Sequence, residues 1–280
     1  MNTKFEDLKV STRTIIATAS VQFDITQIFN EAPLISKIFS FHGQNHKISI
    51  ERMSYKNKIR DKNSKEVLFN IGTQKSFRNA LNVIMMLDDN KKVNFKVSKN
   101  GKFQITGCRE IDHAKLCTFS FMEIIAGACP EYMETTSELF SIHYEVVMTN
   151  VDCGTGYCIN RQSLDKIINS TTSYNSLLET SFGYTGVNIK FPVEKDWINM
   201  DIPSIEWILT KPETLELKNA PLSQVAPDRK YKKKYNTFLV FHSGRFIMSG
   251  MKEETMGDDY HRFINILHNN ENQIKEILDT

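Results

Sequence analysis

Short segments with apolar residues at every second position recur along the chain, and a few longer ones switch to a helical period. Residues 12–21 (TRTIIATASV) are β-branched, and residues 144–152 (YEVVMTNVD) alternate, as half-buried strands do. Residues 82–87, 93–97, 185–190 and 237–241 predict further strands. Residues 112–126 carry Leu116, Phe119, Met122 and Ile125 at helical spacing, and residues 258–269 carry Tyr260, Phe263, Ile264 and Leu267. Asp112 and Asp258 are the N-caps this reading expects. Asp24-Ile25-Thr26-Gln27 has capping-box spacing and opens a short helix. Asn160 opens another, with Leu164, Ile167 and Ile168 on one side.

The pattern repeats. Residues 100–107 read NGKFQITG and residues 243–250 read SGRFIMSG, with 143 positions between Gly107 and Gly250. Each copy follows a short strand and a glycine-containing turn, as in a hairpin. Each is followed by another base, Arg109 or Lys252, and then by an amphipathic segment. Each half therefore predicts strand, helix, several antiparallel strands and a long helix. The fold class expected is α+β: two tandem repeats whose sheets join into one curved antiparallel sheet, with helices on one face and the other face open. The expected domains are residues 1–130 and 140–280. The first carries a basic insertion near residues 40–76 and the second an insertion near residues 192–234, and residues 127–139 link them.

Composition narrows the class. The chain is 40% hydrophobic and 24% charged with a net charge of +2, ordinary for a globular protein. Any nucleic-acid surface must gather its positive charge on one side. Five cysteines without a CxxC pair read as buried thiols, not as a disulfide framework or zinc site. The first residues are polar and of mixed charge, and no apolar run approaches 18 residues, so the expectation is an intracellular protein outside the membrane. Two basic runs stand out: Lys56, Lys58, Arg60, Lys62 and Lys65 in a polar loop, and Arg229, Lys230, Lys232, Lys233 and Lys234 beside Tyr231 and Tyr235. They read as solvated loops, as nonspecific nucleic-acid contacts or as an import signal.

The paired endings, residues 101–109 (GKFQITGCR) and 244–252 (GRFIMSGMK), resemble those of the TATA-box-binding protein family, whose repeats end in S-G-K-φ-φ-x-T-G-A-K and a long helix. Residues 14–21 look like the family's first strand, and residues 144–164 are similar to its second-repeat strand and helix. The divergence looks like that of proteins from large nucleocytoplasmic DNA viruses. The resemblance implies a general transcription initiation factor that binds A/T-rich double-stranded promoter DNA in the minor groove. It would bend the duplex with apolar wedges and nucleate a preinitiation complex with a transcription factor IIB-like partner and RNA polymerase. It implies no catalysis, cofactor, metal or small-molecule substrate. The compartment would be the host nucleus, a cytoplasmic viral factory or the virion.

Residue by residue, the resemblance implies wedges at Phe241 and Tyr184 in the second repeat. In the first, the positions fall near Ala80 or Leu81 and near Val97. Thr106 and Ser249 keep the family's hydroxyls, Ile16 its apolar groove contact, and Thr14 replaces an asparagine. In the second repeat that asparagine position is Met148, or Asn150 after a two-residue slip. Lys102, Arg109, Arg245 and Lys252, with Lys190, are the implied phosphate contacts. The family's acidic partner-binding loop falls at residues 178–183, where Glu179 is the one acid.

Two rivals are weighed. A nuclease or glycosylase would need clustered carboxylates or a supported catalytic lysine. Asp88-Asp89 and Asp258-Asp259 are adjacent pairs that read as turn and cap residues. The other rival is a platform of the same fold that has lost sequence-specific DNA binding and assembles transcription proteins. Residues 197–207, from Trp197 to Trp207, would be its docking segment, unless those rings pack the insertion onto the sheet.

Overall fold

A computed structural model describes residues 4–276 except 65, 70–78, 89, 179–185, 194–198 and 227–231. In chain order the elements are β1 (Val10–Ala19), β2 (Gln22–Phe23), α1 (Ile25–Glu31), β3 (Ser36–Phe41), β4 (Gln44–Tyr55), β5 (Lys58–Asp61), β6 (Leu68–Phe69), β7 (Ala80–Met86), β8 (Lys92–Ser98), β9 (Lys102–Cys108) and α2 (Ile111–Ala128). Then follow β10 (Met133–Glu134), β11 (Leu139–Gly154), α3 (Arg161–Thr171), β12 (Asn175–Leu178), β13 (Gly186–Val193), β14 (Asp201–Ile208), β15 (Lys211–Pro221), α4 (Leu222–Val225), β16 (Lys234–Phe241), β17 (Arg245–Gly250), α5 (Glu253–Asn269) and α6 (Glu271–Ile274). The pairings are antiparallel and the class is α+β.

Two compact units form, and they do not follow the expected boundaries. One combines Met1–Thr12, Val147–Ile198 and Asp228–Thr280; the other combines Arg13–Val146 and Asn199–Pro227. The first is called the C unit and the second the N unit.

In the N unit, β1 pairs with β9, β9 with β8, β8 with β7 and β7 with β4. Alternate residues of these strands, such as Ile15, Phe103, Phe95 and Val83, are buried under α2. Phe121 of α2 meets Phe23, Phe95 and Phe103 at centroid distances of 6.0, 5.6 and 5.9 Å. The insertion expected near residues 40–76, with its polar basic loop, is largely strand in its described residues up to 69: β3 and β5 both pair with β4. Two of its bases have structural partners. Arg60 donates to the Phe29 and Ala32 carbonyls at the end of α1, and Lys62 to Ser36 and Ser49. Lys65 lies outside the described residues.

The insertion near residues 192–234 also departs from expectation. Its hairpin β14–β15 packs in the N unit, where β14 pairs with residues 139–143 of β11. Trp207 is the anchor, fully buried against Phe119 and Phe140. Its indole N–H donates to Glu123 Oε1 at 3.0 Å. Trp207 is therefore core and not a docking residue; Trp197 lies outside the described residues.

In the C unit, residues 149–154 of β11 pair with β17, then follow β16, β13 and β12. Phe263 of α5 covers this sheet, 4.2 Å from Phe238 and 5.4 Å from Phe246. The helix begins at Glu253, so Asp258 is mid-helix and no N-cap. Asp112 likewise sits inside the first turn of α2, paired with Lys115 at 2.9 Å. Asp24 and Asn160 do cap α1 and α3.

The same latch closes each unit. Gly101 and Gly244 turn at φ +72° and +77°. Their carbonyls accept from Ala19 and Thr155 N–H, both at 2.9 Å. Two residues earlier in the turns, the Lys99 and His242 carbonyls accept from Phe23 and Ile159, both at 2.8 Å. The next residues, Asp24 and Asn160, donate to Tyr132 and Ile274, beyond the long helices. The expected linker at 127–139 is thus bound in: α2 runs to Ala128, and β10 pairs with β2.

Two predictions follow from these contacts. A Cβ at Gly101 would sit 2.2 Å from the Val21 carbonyl oxygen, and one at Gly244 would sit 1.9 Å from that of Tyr157. Gly101→Ala and Gly244→Ala should each lower the unfolding free energy in urea by about 1–3 kcal/mol. Burial pushes the Glu123 carboxyl above the usual range, against the opposing pull of Trp207 and Lys37. In folded protein it holds its proton to higher pH than in the unfolded chain, so stability falls as pH rises from about 4.3 through the raised folded value. Glu123→Gln, which keeps the acceptor for Trp207, should flatten that decline in urea titrations from pH 4 to 7.

Candidate nucleic-acid interface

With one face of each sheet packed under helices, the alternate side chains define a second face. Cross-strand register sets its rows, because paired residues on antiparallel strands project to the same side.

In the N unit one row runs Ile16, Gln104, Lys96, Asn82 and Ser54 across five strands. A second runs Thr106, Asn94, Ile84 and Arg52, and Arg52 is paired with Asp61 at 2.7 Å. A third joins Thr18 to Lys102 on β1 and β9, and Ser98 to Ala80 on β8 and β7. None of these side chains is buried. Asn82 donates to Ser54 at 3.4 Å, and Thr106 to the Asn94 carbonyl at 3.2 Å. The face is mainly hydroxyls, amides and cations, interrupted by Ile16, Ile84 and Ala80, with Thr14 half-buried at its β1 end.

Leu81 and Val97 do not belong to it. Both are 0% exposed and lie in the core. The period of two turns them toward α2, so the expectation that either acts as a wedge is corrected. The face residues beside them are Ala80, Asn82, Lys96 and Ser98.

In the C unit one row runs Asn150, Ser249, Thr237, Lys190 and Asn175. Ser249 donates to Asn150 Oδ1 at 2.7 Å, so each hydroxyl–amide pair is already oriented. Met148 and Asn150 share this face, two residues apart, and Asn150 is the one opposite Ser249. The neighbouring row runs Asp152, Ile247, Leu239, Asn188 and Leu177. Phe241 pairs with Gly186 beyond it and is half-buried. Leu177 is 62% and Met148 38% exposed. Tyr184 and residues 179–183 lie outside the described residues.

Cations stand at strand ends and rims. Lys102, Arg109 and Arg245 are exposed, and Lys252 is half-buried ahead of α5. The exposed Lys190 ammonium lies 5.9 Å from the Tyr235 ring centroid. Among the described residues no group of three or more His, Cys, Asp or Glu side chains converges as a metal site. No described helix is long and apolar enough to cross a membrane.

No family model matches the chain. It is 27% identical over 202 residues to "Uncharacterized protein 335L" of Invertebrate iridescent virus 6, matching 67% of this chain and 59% of that protein. The chain thus spans about three fifths of the length of this curated relative. In structure it is similar to Methanococcus jannaschii TBP, with a TM-score of 0.46, 9% identity and coverage of 94% of this chain and 98% of that one.

Of the residues singled out in the sequence, Thr106, Ser249, Asn150 and Phe241 lie on the helix-free faces, and Lys102, Arg109 and Arg245 are exposed. The same faces also carry Gln104, Lys96, Asn82, Leu239, Ile247 and Leu177, which the sequence reading did not single out. All but Leu177 sit two residues from a residue singled out in the sequence as a DNA contact or in its cross-strand row. Placing them required the register.

Proposed function

We propose that the chain is a divergent TATA-box-binding-protein-like transcription initiation factor of viral type. In this reading its two repeats form the saddle implied by the sequence resemblance and hold A/T-rich duplex DNA at the minor groove. One observation carries the proposal: the same five-strand order and the same glycine latch occur twice, each lattice presenting a helix-free face with cations beside it. Hydroxyl and amide groups such as Thr106, Ser249 and Asn150 suit the acceptors of an A·T minor groove. Thr14 and Ile16 complete the N-unit contacts. Lys102, Arg109, Lys190, Arg245 and Lys252 meet phosphates.

The function is binding and assembly without catalysis. The partners are a transcription factor IIB-like protein and RNA polymerase, and the setting is the nucleus, a viral factory or the virion. The iridescent-virus relative supports the viral part. The polar N-unit face, with Ser98 at the position matching Phe241, favours one second reading: a platform of this fold without sequence-specific DNA binding.

Fluorescence anisotropy with A/T-rich and G/C-rich duplexes across a salt series tests the proposal. Binding should favour the A/T duplex and fall with salt. Lys102→Ala and Arg245→Ala should each reduce the slope of log K against log salt by about 0.9. Absence of binding at low salt would remove the DNA reading and leave the platform.

A further inference from the structure

The two helix-free faces share a lattice and differ in chemistry. Take Gly101 and Gly244, the latch glycines, as common origin. Ser98 then stands where Phe241 stands, and Lys96 where Leu239 stands. Gln104 matches Ile247. One strand further out, Asn82 pairs with Lys96 as Asn188 pairs with Leu239. Beyond them Ser54 pairs with Asn82 as Leu177 pairs with Asn188. At four matched positions the C unit is apolar where the N unit is polar or charged; at two others the reverse holds, Ile16 against Asp152 and Ile84 against Lys190, each apart from the block around Phe241.

The apolar residues form a block. A Cβ at Gly186 would lie 2.5 Å from Leu239 Cδ1 and 3.6 Å from Phe241 Cε1. Leu239 and Phe241 therefore stand side by side over a glycine that leaves them room. Ile247 pairs with Leu239 and extends the block to the next strand. Among the described residues of the N-unit face no aromatic side chain appears, and its central row is Gln104, Lys96 and Asn82.

These chemistries do different work against a duplex. An apolar block gains by leaving water and entering a partly unstacked base step. Amides and ammonium groups gain by hydrogen bonds to base and sugar edges or by releasing counterions at phosphates, and both can be satisfied on a stacked duplex. We propose that the C unit alone opens base steps, with Leu239, Phe241 and Ile247 as its wedge, while the N unit grips stacked DNA through Lys96, Gln104 and Lys102. This rests on the DNA reading above and specifies a one-sided deformation.

The test uses the full chain and A/T-rich duplexes carrying 2-aminopurine at successive positions, whose fluorescence rises on unstacking, with anisotropy recorded in parallel. The wild type should give a rise at one end of its site. Phe241→Ser, Leu239→Lys and Ile247→Gln combined give the C unit the N unit's chemistry. This variant should lose the rise and bind about tenfold more weakly, with no loss of salt slope. Lys102→Ala with Gln104→Ala should keep the rise and lower the slope by about 0.9. Circular dichroism melts check folding, and Ser98→Phe, an addition on an accessible face, should create a rise at the other end. Rises at both ends in the wild type, no rise in bound wild type, or a full rise in the triple variant would overturn the division and leave DNA binding standing. A wild type that binds no duplex would overturn both.

Discussion

The contact on which each unit depends is a backbone one: a left-handed glycine whose carbonyl receives the N–H of the strand that opens the unit. At Gly101 and Gly244 the neighbouring carbonyl oxygens come so close that no side chain fits. With the turn held there, the hairpin has one register against β1 or β11. Because side chains on a strand alternate between faces, that register decides which residues enter the core and which stay on the helix-free face. A slip of one position would bury Lys96 and Gln104 and expose Phe95 and Phe103. The aromatic cores under α2 and α5 oppose such a slip, since each ring fills space beside several others.

The same reasoning explains where function resides. The core faces carry Phe, Val, Ile and Met in both units, so they differ little in chemistry. The helix-free faces are under no packing demand, and there the lattice positions diverge into polar and apolar sets. Proteins of one fold differ through such surfaces, so the functional proposal rests on face chemistry and not on the fold alone. The Ser249–Asn150 pair and the Asn82–Ser54 pair show that part of this polarity is pre-oriented by the sheet itself.

Much was legible in the chain before folding. The two glycine-centred endings, the strands around them, the long helices and the cap Asp24 follow from local rules: a turn needs a permissive residue, a cap needs a short acceptor, and a half-buried strand alternates. Asp112 and Asp258, expected as caps, lie inside their helices. The exposed bases Lys102, Arg109 and Arg245 were legible because they flank those turns. The assignment of Leu81 and Val97 to the helix-free face failed, because the strands were recognised but their phase was not. A strand read without its partner leaves open which set of alternate residues faces the helices.

What the sequence by itself determined is therefore the set of elements, their order and their duplication, since these depend on neighbours a few residues away. The tertiary structure decided the rest. It turned much of the basic segment between residues 40 and 69 into sheet and gave Arg60 and Lys62 carbonyl and hydroxyl partners distant in sequence. It moved the late insertion into the N unit because Trp207 finds Phe119, Phe140 and Glu123 there. It also fixed which of Met148 and Asn150 faces Ser249. These outcomes depend on pairing between residues far apart along the chain, and such pairing is settled only when a whole core closes in one register.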